Sequence, residues 1–373
     1  MDKHLHIVTH DVPWPADFGG VVDLFYKIQA LHKAGIKIHL HCFHSTRPEQ
    51  SMLNRYCASV HYYQRKSINA SLSFSIPYIV KSRNSEALLE NLKKDNYPIL
   101  LEGIHCTYWF NKGMLNDRQV FVRLHNVEYR YYSQLAKLEK NIIKKIYFRI
   151  ESMLLRKYEK QLAHKARFLC VSMEDAQIYK KELGADKIYF LPVFLPWNQP
   201  NADKGNGSFC LYHGNLSVNE NEKAAEWLLT EVFNEIKIPF VIAGNSPRPA
   251  LKALAHKHPH TCIVVNPSDY EMQDLIKKAQ LNILPSFNNT GVKLKLLNAV
   301  FNGRHCLVNE QASKGTGLED ICFQANDAAG FRKAIETLYR EPFTEKNMQH
   351  RSAALKNLYC NEENARQLIA WIY

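Results

Sequence analysis

The apolar positions of the chain follow two alternating rhythms. Short runs of strand character occur at 5–10 ("LHIVTH"), 36–43 ("IKIHLHCF"), 97–103 ("YPILLEG"), 119–126 ("QVFVRLHN") and 167–172 ("RFLCVS"), with helical spacing between them. The first helical stretch sets Val21, Leu24, Phe25, Ile28 and Leu31 on one face and stops at Gly35, the repeat of a helix buried along one side. Strand–helix alternation predicts a parallel sheet covered by helices on both faces. The rhythm breaks at 195–208, "LPWNQPNADKGNGS", whose Pro, Asn and Gly predict a linker. It then restarts with "FCLYHGN", a helix over 218–233, "PFVIAG", a helix ending near His258, "TCIVVN", the helix "DYEMQDLIKKAQ", "LNILPS" and "RHCLVNE". The pattern therefore predicts two doubly wound α/β domains, 1–195 and 209–357, joined by a linker at 196–208. Sheets of this kind bind ligands at the carboxyl ends of their strands, so a cleft between domains is the expected site.

Composition narrows the class. A chain of 373 residues is long for one core and favours two domains. With 46% apolar and 23% charged residues it reads as a globular protein, and no run approaches the ~20 apolar residues of a membrane span. The start, "MDKHLHIVTHD", enters a strand pattern without a signal-peptide layout, which predicts a cytoplasmic protein. Nine scattered cysteines, with no CxxC pair, read as reduced thiols. The net charge of +12 asks for an anionic partner. Much of it lies between Lys137 and Arg167, where leucines and aromatics recur at helical spacing. Two readings stay open there: a solvated helix with a core-facing stripe, or a surface resting on anionic lipid headgroups. No nucleic-acid-binding motif accompanies the charge, so nucleic acid is not expected as a partner. The histidine-rich "HLHCFH" (39–44) and "HKHPH" (256–260) lack companion Cys or Asp clusters, and no metal site is assigned.

Two loops carry candidate chemistry. "PADFGG" joins the first strand to the first helix, and Gly19 and Gly20 there would let backbone approach a ligand at a helix N-terminus; a tight turn is the alternative. Neither a GxGxxG nor a GxxxxGK[ST] pattern is present. The second loop lies in "ILPSFNNTGVKLKLLNAVFNG", 283–303, where a strand ends, a loop follows and a helix opens near Val292 with Gly303 as its C-terminal cap. Amides of Gly291, Val292 and Lys293 would point out of the helix start. Lys293 and Lys295 at that positive end are unfavourable for folding unless an anion arrives, and a diphosphate supplies one. The alternative is that their stems only snorkel from a core helix.

These pieces, "DFGG", "RLHNVEY", "VSMED", "LYHGNLSVNEN", "FVIAGN" and "LPSFNNTGVKLKLLNAVFNGRHCLVNE", resemble in order and spacing a GT-B glycosyltransferase of the retaining, family-4-like type. The resemblance covers nearly the whole chain. It implies two Rossmann-like domains facing across a cleft, with a final helix, about 358–373, packing back on the first. It also implies a nucleotide-diphosphate-sugar donor, a glycan or polyprenyl-linked acceptor, no metal and no other cofactor; no DxD occurs in the chain. Carried over, Gly19, Gly20 and the 290–292 amides (Thr290, Gly291, Val292) would contact the donor diphosphate, with Lys293 and Lys295 neutralising it as it leaves. His125 would lie near the donor sugar. Gly214, Asn215, Asn221 and Asn298 would line the nucleoside side, and Glu128 and Tyr129 the acceptor side. The family pattern usually carries two glutamates eight positions apart; here Thr290 and Asn298 stand in their places. Asn can still bond a ribose hydroxyl but lacks the charge that strengthens the bond. A catalytically silent nucleotide-sugar-binding protein and a nucleotide-sugar epimerase therefore remain alternatives to a transferase.

Overall fold

A computed structural model of the chain describes residues 2–17, 19–71, 73–287 and 291–373. Thr290, one of the residues assigned to the diphosphate, lies outside them. The chain divides into two units, one of residues 1–198 with 359–373 and one of residues 199–358.

Among the described residues the first unit holds seven strands: β1 (His4–Thr9), β2 (Lys37–His44), β3 (Ser59–Gln64), β4 (Ile99–Glu102), β5 (Val120–Leu124), β6 (Arg167–Cys170) and β7 (Ile188–Phe190). They form one parallel sheet in the order β3-β2-β1-β4-β5-β6-β7. Alternation along the strands sorts side chains onto two faces. Leu5, Ile7, Ile38 and Leu40 pack on one face with Phe25, Ile28 and Leu31 of α1 (Gly19–Lys33). The same layer takes Ala365, Leu368 and Ile372 of the final helix, Asn361–Ile372. Asn361 holds the helix start by accepting from the Leu195 amide at 3.0 Å and donating to its carbonyl at 2.7 Å. On the opposite face Val8, Phe43, Leu101, Val122 and Phe168 meet Leu155, Tyr158 and Leu162. The basic 137–167 stretch forms the end of α2 (Glu128–Leu138) and the whole of α3 (Ile142–Ala163). The histidines of "HLHCFH" are sheet residues, with His39 beside His4 at 3.0 Å and His41 beside His6 at 2.8 Å.

The second unit holds β8 (Cys210–His213), β9 (Phe240–Gly244), β10 (Thr261–Val265), β11 (Leu281–Ile283), β12 (His305–Val308) and β13 (Phe323–Gln324) among its described residues. Their order, β10-β9-β8-β11-β12-β13, is again parallel throughout. In both sheets the strand order reverses beside the first strand, between β1 and β4 and between β8 and β11. That switch point is where a doubly wound sheet opens a crevice at its strand ends. The helix expected over 218–233 is α4 (Asn219–Trp227), continued by a wider turn at Leu228–Val232.

Three local expectations need adjusting. The stretch read as a linker is tied to the second unit from residue 201: the Asn201 amide donates to the Phe301 carbonyl (2.7 Å) and the Gly207 amide to Gln280 Oε1 (2.6 Å). The helix expected to open near Val292 is α5 (Leu294–Asn302), with Lys293 as its N-cap. It starts late because Gly291, at φ +64°, turns the chain in the left-handed region, which no helix continues through. Gly303 does follow that helix, but in extended conformation rather than as a left-handed cap. Its lack of a side chain matters for another reason: a Cβ there would lie 2.3 Å from Asn282 Nδ2.

Candidate functional site

At the switch point of the first sheet, a charge network is buried that the apolar pattern alone did not assemble. Asp23 and Lys27 sit one turn apart on the core face of α1, both fully buried. Lys27 Nζ lies 2.9 Å from Asp23 Oδ2 and 2.7 Å from Glu102 Oε1 at the end of β4. Arg123 of β5 donates from Nε (3.1 Å) and from its Nη2 (3.0 Å) to the Asp23 carboxylate, and from Nη2 to the Pro192 carbonyl (2.9 Å). Burial alone would raise both carboxyls, but Arg123 and Lys27 hold Asp23 well below the usual range, and Lys27 and His125 hold Glu102 down. Two carboxylates are matched by two basic side chains, the condition under which buried charge is tolerated.

His125 follows β5 and stands against this network. Its Nε2 is 3.2 Å from Glu102 Oε2 and its Nδ1 3.9 Å from Asp23 Oδ2, with the ring 15% exposed. His10, just beyond β1, meets it edge-on with centroids 5.9 Å apart, and His105, beyond β4, lies 5.3 Å from His10. Burial pushes His10 and His105 well below the usual histidine range, helped by His125 and Arg83 at His10 and by Arg83 and His10 at His105. Three imidazoles thus gather at the carboxyl ends of β1, β4 and β5. Asp23, Glu102 and His125 each offer one ligand atom within 4.8 Å of the others, the one such group among the described residues. The fit to a metal ion is poor, because Lys27 and Arg123 already neutralise both carboxylates.

The loop before α1 is pinned by Arg47, which donates to Val12 O (3.1 Å), to Asp17 (2.8 Å) and to Pro15 O. Gly19 and Gly20 are the first two residues of α1, and its first turn has no acidic residue. Helix-opening amides lack intrahelical acceptors, so this end retains its affinity for an anion. Glu128 and Tyr129 are interior groups instead of an exposed acceptor face. The Glu159 carboxylate accepts both of their amides (3.0 and 2.9 Å), and Tyr129 Oη donates to Glu182.

In the second unit the switch point is built around Lys295. Its Nζ donates to Asn221 Oδ1 (2.9 Å) and to Tyr212 Oη (3.2 Å) and stands 4.8 Å over the Tyr212 ring. Both acceptors are neutral, and burial lowers the ammonium to about 8, Glu220 opposing and Lys293 assisting. Beside it, His213 ends β8 with Nε2 buried and unpartnered among the described residues; burial and then Lys295 bring it down to about 3. Asn221 also donates to the Asn215 carbonyl (2.9 Å), and Asn215 Oδ1 accepts from the Ser217 amide (3.1 Å) and hydroxyl (2.7 Å). Gly214 carries this loop past β9 so closely that a Cβ on Gly244 would lie 1.9 Å from the Gly214 carbonyl oxygen. Ser286, after β11, donates to Glu220 at 2.8 Å.

The sequence-assigned residues Gly214, Asn215, Asn221 and Lys295 therefore share one strand-end cluster. Asn298 is one turn further along α5, and its Oδ1 accepts from Asn302 at 2.8 Å. Gly291, Val292 and Lys293 precede the helix instead of forming its first turn. Sequence reasoning missed His213, Glu220 and Ser286 here, and Asp23, Lys27, Glu102, His10 and His105 in the first unit. A charged residue inside an apolar rhythm was the available signal, at Lys27 within the α1 stripe and at Glu102 after "ILL".

Comparison with known proteins shows what this geometry is similar to. Residues 208–341, most of the second unit, match the family described as glycosyl transferases group 1. Over that stretch the chain is similar to group 1 glycosyltransferases. The match spans the cluster around Lys295. A Klebsiella pneumoniae protein, described as an uncharacterized 44.6 kDa protein in the cps region, is 29% identical over 88% of this chain and 89% of its own. Among solved structures, sucrose-phosphate synthase from Thermosynechococcus elongatus aligns over 99% of this chain and 98% of its own, with TM-score 0.71 and 15% identity. TarM aligns over 100% and 99%, with TM-score 0.70 and 10% identity. The UDP-forming trehalose-phosphate synthase from Burkholderia xenovorans aligns over 99% of each chain, with TM-score 0.67 and 9% identity. At such identities the structures establish the fold alone, GT-B: two Rossmann-like units, each with a parallel sheet.

Proposed function

We propose that this protein is a glycosyltransferase that moves a sugar from a nucleotide-diphosphate donor to a glycan or lipid-linked acceptor in polysaccharide synthesis, without a metal and with retained configuration. The observation that carries the reading is Lys295, a buried ammonium that donates to two neutral acceptors, Asn221 and Tyr212, beside a His213 nitrogen unpartnered among the described residues. When the bond between the anomeric carbon and the diphosphate oxygen breaks, the diphosphate leaves with the electron pair. A fixed cation at that position stabilises the growing charge and needs no metal to do so. Binding the diphosphate would in turn raise the depressed Lys295 and keep it charged. His125, braced by Glu102, is assigned to the donor sugar, and the helix-opening amides of Gly19 and Gly20 to the phosphates. The relative in a cps region supports the polysaccharide setting.

A second reading, a silent nucleotide-sugar-binding protein, draws on Asn298, whose carboxamide already bonds Asn302. Thermal unfolding in the presence of UDP, GDP, ADP, CMP and NAD separates the two. A ligand at about 100 times its Kd adds ~2.7 kcal/mol and lifts the midpoint by several degrees. A shift with one nucleoside diphosphate names the donor base, and turnover with the corresponding sugar nucleotide then supports the transferase. No shift with any of them in a folded sample removes the donor assignment; a shift without turnover supports the silent reading.

A further inference from the structure

α3 has two stripes, only one of which faces the core. Glu151, Leu155, Tyr158, Glu159, Leu162 and Ala163 are buried against the first sheet's helical layer. On the opposite side Ile142, Ile143, Ile146, Ile150 and Met153 are exposed, by 72%, 79%, 51%, 45% and 66%. At helical spacing these five fall within an arc of about 100°, so they form one continuous apolar strip over the first three turns. A solvated helix would place polar groups there.

The surroundings decide what the strip fits. Arg149, Arg156, Lys157 and Lys160 are exposed beside or beyond it on the same side of the helix, and Lys140 is exposed just before it. The only carboxylates from 140 to 160, Glu151 and Glu159, are both buried. An apolar strip bordered by cations, with Glu139 before the helix as the nearest acid in sequence that is not buried, matches the boundary of an anionic bilayer, where isoleucines enter the acyl region and ammonium groups meet phosphates. Single-stranded nucleic acid would use aromatic stacking platforms, and the exposed strip is aliphatic. A second copy would set like charges against like charges. No helix among the described residues is long and apolar enough to span a membrane, so the attachment is peripheral.

We propose that the Ile142–Met153 face of α3 is a docking surface for anionic lipid bilayers. The proposal rests on this helix alone and stands or falls apart from the donor assignment.

Flotation of the full chain with vesicles tests it, using phosphatidylcholine alone and phosphatidylcholine with about one-third phosphatidylglycerol. The expected result is recovery with the anionic vesicles only. A triple variant, Ile142→Ser with Ile143→Ser and Ile146→Ser, should bind them at least ~10-fold more weakly, because buried apolar area and charge both contribute. Its unfolding midpoint should stay unchanged, since all three side chains lie outside the core. An Arg149→Glu, Lys157→Glu variant should lose binding with the same fold intact. Failure of the unaltered protein to float with either vesicle overturns the proposal, as does equal binding by the isoleucine variant. A concentration-dependent dimer that the serine substitutions abolish would assign the strip to a second copy instead.

Discussion

Lys295 is the residue on which chemistry and folding pull in opposite directions. Burial lowers its ammonium to about 8 from the ordinary lysine value, so the folded state holds this proton less tightly than the unfolded chain. Its charge therefore weakens the fold at neutral pH, and that cost fades as the pH rises from about 8 towards 10. A residue kept only for structure would show the reverse. Lys295→Met is expected to leave the unfolding midpoint unchanged or slightly higher, while nucleoside diphosphate affinity falls by about 10- to 100-fold, the worth of a hydrogen bond to a charged group. Titration calorimetry beside a melting curve reads both quantities, and a large drop in midpoint with intact affinity would make Lys295 structural. The sequence exposed this lysine because it interrupts an apolar run. Asp23 and Lys27 escaped notice because α1 already had a complete apolar stripe. Their meaning lies in Glu102 and Arg123, whose approach only the folded sheet reveals.

At the scale of elements, α2 shows how one helix can be started by another. Val127 at its N-cap offers no side-chain acceptor, so no local capping signal marks the helix start in the sequence. Glu159 of α3 does the capping instead, accepting the Glu128 and Tyr129 amides and the Tyr179 hydroxyl at 2.6 Å. Burial, partly offset by these donors, raises the Glu159 carboxyl to about 7, and burial with Glu159 beside it raises Glu128 to about 8. Glu159→Ala leaves two buried amides and a hydroxyl without acceptors and should cost about 3–5 kcal/mol, whereas Tyr179→Phe, which removes one bond, should cost about 1 kcal/mol. Urea denaturation at neutral pH measures both. Equal losses for the two variants would show that Glu159 does not carry the cap. Of the other misplaced boundaries, one has a local cause and one a non-local one. Gly291 delays α5 through its backbone angle, and the 201–208 stretch looked like a linker because its ties run to Phe301 and Gln280, far along the chain.

Across the whole molecule, the alternating rhythm was enough to give two doubly wound sheets, since apolar periodicity is set locally by what each strand buries. The histidines shape the behaviour of the entire fold. On β1–β3, His6 Nε2 meets Asp95 (2.9 Å), His6 Nδ1 meets His41 Nε2 (2.8 Å), and His41 Nδ1 meets Tyr63 Oη (2.8 Å). Burial lowers His6 despite Asp95, lowers His39 and His61, and takes His41 down to about 2. Arg118 and Lys94, packed nearby, add to this. His10, His105 and His213 are lowered in the same way. For each, the unfolded chain takes up a proton near 6.5 while the folded chain resists. The stability they give is therefore full above that value and is lost as the pH falls through it, by up to ~1.4 kcal/mol per pH unit for a fully buried ring. Glu128 and Glu159 act with the opposite sign, because acidification from 7 relieves the cost of their buried charge, but they are outnumbered. The unfolding midpoint is expected to fall steadily between about pH 7 and about pH 5.5. His41→Gln, which can still bond His6 and Tyr63 but takes no proton, should make that slope shallower. A midpoint that instead rises on acidification would mean that the carboxyls of α2 and α3 govern the fold's response to pH.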